Sequence, residues 1–140
     1  MAESVRVRRE ILDEMLAHAR REPQIECCGL LAGREGVISV IFPATNDLRS
    51  AAAYEIAPRE LFDLFRTLRA TGLTHLGQYH SHLSTENVPS PKDIELAGYP
   101  EHAYFIVSLW ADAVHPVRAF SIRDGNVREL EIVVDGNNSP

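Results

Sequence analysis

The segment Ala103–Trp110 (AYFIVSLW) is almost continuously apolar, and it sets the first limit on architecture. A strand that is hydrophobic on both faces must be covered on both faces, which is the pattern of a central strand in a layered α/β fold. The rest of the chain supplies the cover. Between Glu10 and Arg21, Ile11, Leu12, Met15, Leu16 and Ala19 form one apolar stripe, which predicts an amphipathic helix. Leu61, Leu64, Phe65 and Leu68 form a second stripe, with Pro58 suited to its first turn and Gly72 to its C-terminal cap. Ser90–Ala97 reads as a third, short helix. Strands are expected at Ser4–Val7, Glu26–Ala32, Val37–Phe42, near Tyr54–Ile56, at His75–His80, Val117–Ile122 and Val127–Val134. Asp124-Gly125-Asn126 is a hairpin turn signal between the last two. Trp110, closing an apolar run, is expected in the core. The fold class is therefore α/β, with a mixed β-sheet of about six strands flanked by helices.

The chain has 140 residues, enough for one domain. No Pro/Gly/Ser-rich linker divides it. Residues 1–134 are expected to form that single domain, and 135–140 (DGNNSP) a flexible C-terminal tail. Twenty acidic against fourteen basic residues give a net charge of −6, which argues against a nucleic-acid partner. No apolar run is long enough to cross a bilayer, so no membrane role is expected. The opening MAESVRVRRE is charged and carries no signal-peptide core, which points to the cytoplasm. Cys27 and Cys28 are adjacent and read as reduced, buried small residues. No base partner for a nucleophilic cysteine can be identified.

The chemically informative stretch is Tyr79–Asp93 (YHSHLSTENVPSPKD). In an extended segment, His80 and His82 point to the same side and can reach one metal ion. A His-x-His pair alone is a common accident in a chain with six histidines. Asp93, eleven residues later, would complete a three-ligand set and leave a fourth position for water, the pattern of catalytic zinc. The same Ser90-Pro91-Lys92-Asp93 also reads as a helix capping box, and the two readings are compatible. Glu26 opens a strand that is otherwise apolar. It is either a solvated strand mouth or a general base, since a buried charge is costly unless it is paired or used. His18, His75, His102 and His115 have no partner spacing and read as surface or structural residues.

Taken together, a Glu opening a buried strand, His-Ser-His, seven residues and Ser-x-x-Asp resemble the JAB/MPN family of metallopeptidases and its JAMM motif. Glu26-Cys27-Cys28-Gly29-Leu30-Leu31 is also similar to that family's E-x-C-G-L-L segment. The resemblance spans about residues 5–134. It implies a sheet-and-helix architecture related to the zinc deaminases, with His80, His82 and Asp93 holding one Zn2+ that carries a water. Glu26 would serve as the base that shuttles the proton, and Ser90 as the oxyanion donor. Ser81 would help to hold the loop. Leu83 stands where the family usually has Pro, which bears on the rigidity of that loop. The deaminase pattern H-x-E with P-C-x-x-C is absent, as is the H-E-x-x-H helix of other metalloproteases.

Lacking long insertions, the chain is similar to the short bacterial members, and His80–Ala97 to those of cysteine biosynthesis. The resemblance implies hydrolysis after the C-terminal Gly-Gly of a ubiquitin-like sulfur-carrier protein, releasing cysteine or trimming extra residues. The carrier tail is expected in a narrow groove, held as an added strand on an exposed sheet edge. A deubiquitinase-like isopeptidase and a non-catalytic carrier-binding module are the alternatives.

Overall fold

A computed structural model describes residues 3–135. The elements in chain order are β1 (Ser4–Arg8), α1 (Arg9–Arg21), β2 (Cys28–Arg34), β3 (Val37–Ala44), α2 (Pro58–Thr71), β4 (Thr74–His82), α3 (Pro91–Leu96), β5 (Ala103–Ser108), β6 (Val117–Arg123) and β7 (Asn126–Asp135). Two tight turns are set by local chemistry. Glu35-Gly36 and Asp124-Gly125 have φ of 56° and 78°, and of 51° and 81°. Positive φ at both central residues matches the right-handed twist of the hairpins β2–β3 and β6–β7. Gly72, at φ 73°, ends α2 in the left-handed conformation.

Seven strands form, where about six were expected, and the sheet closes on itself in the order β1-β3-β2-β4-β5-β6-β7. The closing element is β1. It runs parallel to β7 over Ser4–Arg8 and parallel to β3 at Arg6↔Val37 and Val7↔Ile38. An exposed ion pair from Arg6 to Asp135, 2.7 Å long, lies on the β1–β7 seam. Asp135 thus ends a strand, and 136–140 lie outside the described residues. Closure rests on pairings between the two ends of the chain, which leave no local pattern to read. It also removes most of the free edge expected for strand addition. Because β1 covers β3 only at Val37 and Ile38, the outer side of 39–44 is left as an edge among the described residues.

Three further expectations are corrected. Residues 54–56 form no strand. They belong to a loop whose backbone bonds to a buried asparagine rather than to a ladder. The ladder of β2 begins at Cys28, so Glu26 precedes it. Trp110 lies beyond the end of β5 and is 37% exposed.

All six residues of β5 are buried, as its composition requires. On one side of the sheet α1 places Ile11, Met15 and Ala19 against Val7, Leu31, Tyr79, Phe105 and Val107. Strand alternation then sorts β4. Tyr79 joins this core, while His80 and His82 point to the opposite side. Tyr79 crosses its antiparallel partner Gly29, and its hydroxyl meets His18 Nδ1 at 2.6 Å in the interior. A Cβ on Gly29 would lie 2.4 Å from the Tyr79 ring and 2.6 Å from the Phe42 carbonyl oxygen. The carbonyl cannot move without breaking the ladder. Gly29→Ala is therefore expected to destabilise the fold by about 2–4 kcal/mol, read as a lowered urea midpoint at unchanged slope.

Candidate metal centre

The centre is assembled by one strand pair and one short helix. Antiparallel pairing of β2 with β4 sets Cys28 across from His80. Just beyond it, Ser81 N–H donates to the Cys27 carbonyl at 3.1 Å, and Cys27 N–H donates to Ser81 Oγ at 2.8 Å. Ser81 thus locks the end of the ladder. Extending this register places Glu26 across from His82 on the same face of the sheet. Helix α3 brings the third group. Ser90 Oγ accepts from Asp93 N–H at 3.1 Å, and Asp93 Oδ2 accepts from Ser90 N–H at 2.9 Å, a complete capping box.

Three donor atoms converge. His80 Nε2 and His82 Nε2 are 3.3 Å apart, and Asp93 Oδ2 is 3.2 Å from the first and 3.3 Å from the second. Zinc bonds of 2.0–2.1 Å in a tetrahedron require ligand–ligand edges of about 3.3–3.4 Å. The triangle has that size. Its polarity points the same way. His82 Nδ1 lies 2.9 Å from the Glu86 carbonyl oxygen, which can only accept, so Nδ1 carries the hydrogen. In the neutral ring Nε2 then presents a lone pair to a carboxylate oxygen, an arrangement that calls for a cation between them. Among the described residues this is the one cluster of three His, Cys, Asp or Glu side chains spaced to hold a metal. The donor set fits Zn2+.

Burial and neighbours tune these groups. Burial lowers the pKa of His80 below its ordinary value, against the pull of Asp93. At His82 burial also pulls downward, but the bonds to Asp93 and to the Glu86 carbonyl outweigh it, and the net shift is upward. Asp93 loses solvation yet is held well below the carboxylate range by the two imidazoles and Ser90 N–H. Glu26, 7% exposed, is pushed by burial up to about 7, with Asp93 adding to the shift and His82 and Lys92 opposing it. Burial raises the thiols to about 11 at Cys27 and about 12 at Cys28, which leaves both unreactive at neutral pH.

Several supporting residues carried no signal in the sequence. Asn46 is 1% exposed. Its amide donates to the carbonyls of Glu26 and Ala53, both at 2.9 Å, and its oxygen accepts from Leu48 and Glu55 N–H. It ties Glu26 to the loop that carries Tyr54, whose ring stacks on His80 at 4.6 Å. Asn87, also 1% exposed, donates to the His115 and Ile106 carbonyls, and Ser108 Oγ donates to the Thr85 carbonyl at 2.7 Å. These bonds hold the loop after His82, where Leu83 replaces the family's proline. His18, His75 and His102 lie outside the centre, in contacts with Tyr79, Phe65 and Tyr99.

Comparison with known proteins bears on this geometry. The model of the family described as prokaryotic homologues of the JAB domain matches residues 8–123. A Mycobacterium tuberculosis protein named CysO-cysteine peptidase is 36% identical over 130 residues, covering 91% of this chain and 89% of its own. A Thermus thermophilus protein named as a probable TtuB-protein conjugate cleaving protease is 37% identical over 129 residues, covering 91% and 81%. The solution structure of protein DSY2949 from Desulfitobacterium hafniense superposes with a TM-score of 0.82 at 34% identity, covering 95% of this chain and 94% of that one. No helix among the described residues is long and apolar enough to cross a membrane.

Two measurements test the centre. Asp93→Ala or His82→Ala is expected to weaken zinc binding by more than about a hundredfold in a competition titration, since each removes a ligand outright. The second concerns Glu26 in the metal-free protein. Its folded-state pKa is raised, so its burial is tolerated when protonated and becomes unfavourable as pH rises through about 7. Glu26→Gln should therefore melt about 2–5 °C above wild type at pH 8, with the difference gone below about pH 4.5.

Proposed function

The chain belongs to the family of prokaryotic homologues of the JAB domain, and on that premise we propose that it is a zinc-dependent peptidase acting at the C-terminus of a ubiquitin-like sulfur-carrier protein. The observation that carries this reading is the triangle of His80, His82 and Asp93 with a buried Glu26 across from it. The names of the mycobacterial and Thermus relatives support the substrate class. One is named as a peptidase of CysO-cysteine and the other as a probable protease of TtuB-protein conjugates. We place the activity in the cytoplasm, where the two free thiols stay reduced.

His80, His82 and Asp93 would hold one Zn2+ per chain. Zinc so bound acts as a Lewis acid and brings water within reach of deprotonation near pH 7. Glu26 takes a proton from the attacking water and returns it to the departing amine. Its raised pKa suits both halves of that cycle. Ser90 Oγ accepts from Asp93 N–H, so its own hydrogen is free to donate to the developing oxyanion. A single such donor is worth about 3 kcal/mol in the transition state. The bond from Asn46 to the Glu26 carbonyl, with Glu26 N–H donating to the Ser50 carbonyl at 2.8 Å, fixes the backbone of the base. The outer side of 39–44 offers a strand edge along which the carrier tail can lie.

The test is intact mass of a sulfur carrier extended past its Gly-Gly, after incubation with the zinc-loaded protein. The expected result is loss of the extension at the Gly-Gly boundary, abolished by a chelator and reduced at least about a thousandfold by Glu26→Gln. Bound zinc without cleavage of any extended carrier would overturn the substrate class. Carrier binding without zinc or cleavage would identify a non-catalytic module.

A further inference from the structure

Beside the metal centre lies a cleft of about 180 Å3, lined by Tyr54, Lys92, Asp93, Leu96, Ala97 and Tyr104. Its walls are about equally polar and apolar. Its polar lining includes one cation, and the reaction described above gives that cation no task. Lys92 is the only lysine among the fourteen basic residues. Among the described residues it makes no ion pair, although the arginines at 6, 8, 59, 66, 118, 123 and 128 do. Tyr54 is the second polar group. Its ring is clamped on His80, and its hydroxyl engages no hydrogen-bond partner among the described residues. A phenol hydroxyl can donate a hydrogen bond. The cleft therefore joins an ammonium and a hydroxyl, neither paired with another side chain among the described residues, next to two metal-ligating side chains.

We propose that the Tyr54–Lys92 cleft binds the free α-carboxylate of the residue released from the carrier, which makes the protein selective for a single C-terminal amino acid over an isopeptide-linked protein. This inference rests on the carrier-peptidase reading. In the reaction the amide C–N bond breaks, the oxygen of water stays on the terminal glycine, and its proton leaves on the amine. When the departing amine belongs to a C-terminal amino acid, its carboxylate is two bonds from the scissile nitrogen. It must therefore sit beside the metal ligands. There Asp93 and Glu26 would largely offset the charge of a bound Zn2+ and leave little of it for another anion. The released carboxylate therefore calls for a cation of its own, and a flexible ammonium with three donors can supply it. An isopeptide leaves through a lysine side chain, which carries no carboxylate at that distance and leaves Lys92 without a partner. Ala97 and the exposed Leu96 give the released side chain a small apolar wall.

The test uses one sulfur carrier ending in Gly-Gly-Cys, prepared as the free acid and as the C-terminal amide, so that the two substrates differ by a single charge. The quantity read is the ratio of kcat/KM for acid over amide, with zinc content measured on every protein. Wild type is expected to favour the acid at least tenfold. Lys92→Met should bring the ratio within twofold of unity, and Tyr54→Phe, which keeps the stacked ring, should lower it about threefold. A merely structural role for either residue would slow both substrates together and leave the ratio unchanged. A wild-type ratio near unity, or a ratio that survives Lys92→Met, overturns the carboxylate site and leaves the peptidase reading intact. Zinc-loaded wild type that cleaves neither substrate overturns both.

Discussion

Everything at the centre depends on the register of β2 against β4. Cys28 faces His80, Ser81 is bonded through both its backbone and its side chain to Cys27, and Glu26 falls opposite His82. A slip of one residue would turn both imidazoles toward α1 and bring Tyr79 and Ser81 to the other face. The register is protected from the core side. Tyr79 lies over Gly29, where no Cβ can fit, and its hydroxyl meets His18 on α1. The residues that hold the metal-binding face are thus matched by residues on the hidden face of the same strands. Packing energy in the core is converted into ligand geometry a few ångströms away.

Much of this was legible in the sequence because it is local. The His80-Ser81-His82 alternation, the Ser90–Asp93 capping box, the two apolar helix stripes and the apolar run of β5 each depend on neighbours within a few residues. What escaped was non-local or made of irregular backbone. The pairing of β1 with β7 joins opposite ends of the chain, its pairing with β3 passes over α1 and β2, and no periodicity announces either. Residues 54–56 have strand-like composition but were taken by a loop, because Asn46 satisfies their flanking backbone groups better than a ladder would. Trp110 ended an apolar run in sequence, yet the strand stops two residues before it.

The loops of the centre are tied down by buried amides. Asn46 and Asn87 are both almost fully buried, and each spends its donors on backbone carbonyls from separate segments. A buried amide whose donors are bonded to two segments defines one loop path sharply, because any displacement leaves a polar group unpaired at a cost of about 1–3 kcal/mol. This solution suits a site that needs fixed ligands within polar surroundings.

One oxygen has two employers. Asp93 Oδ2 accepts the Ser90 N–H that starts α3, and the same atom faces both imidazoles. A helix of six residues has little cohesion of its own. Its order is therefore linked thermodynamically to occupancy of the centre, and the wall of the cleft that includes Lys92, Leu96 and Ala97 shares that linkage. Loading the site and steadying one wall of the substrate cleft thus draw on the same six-residue helix.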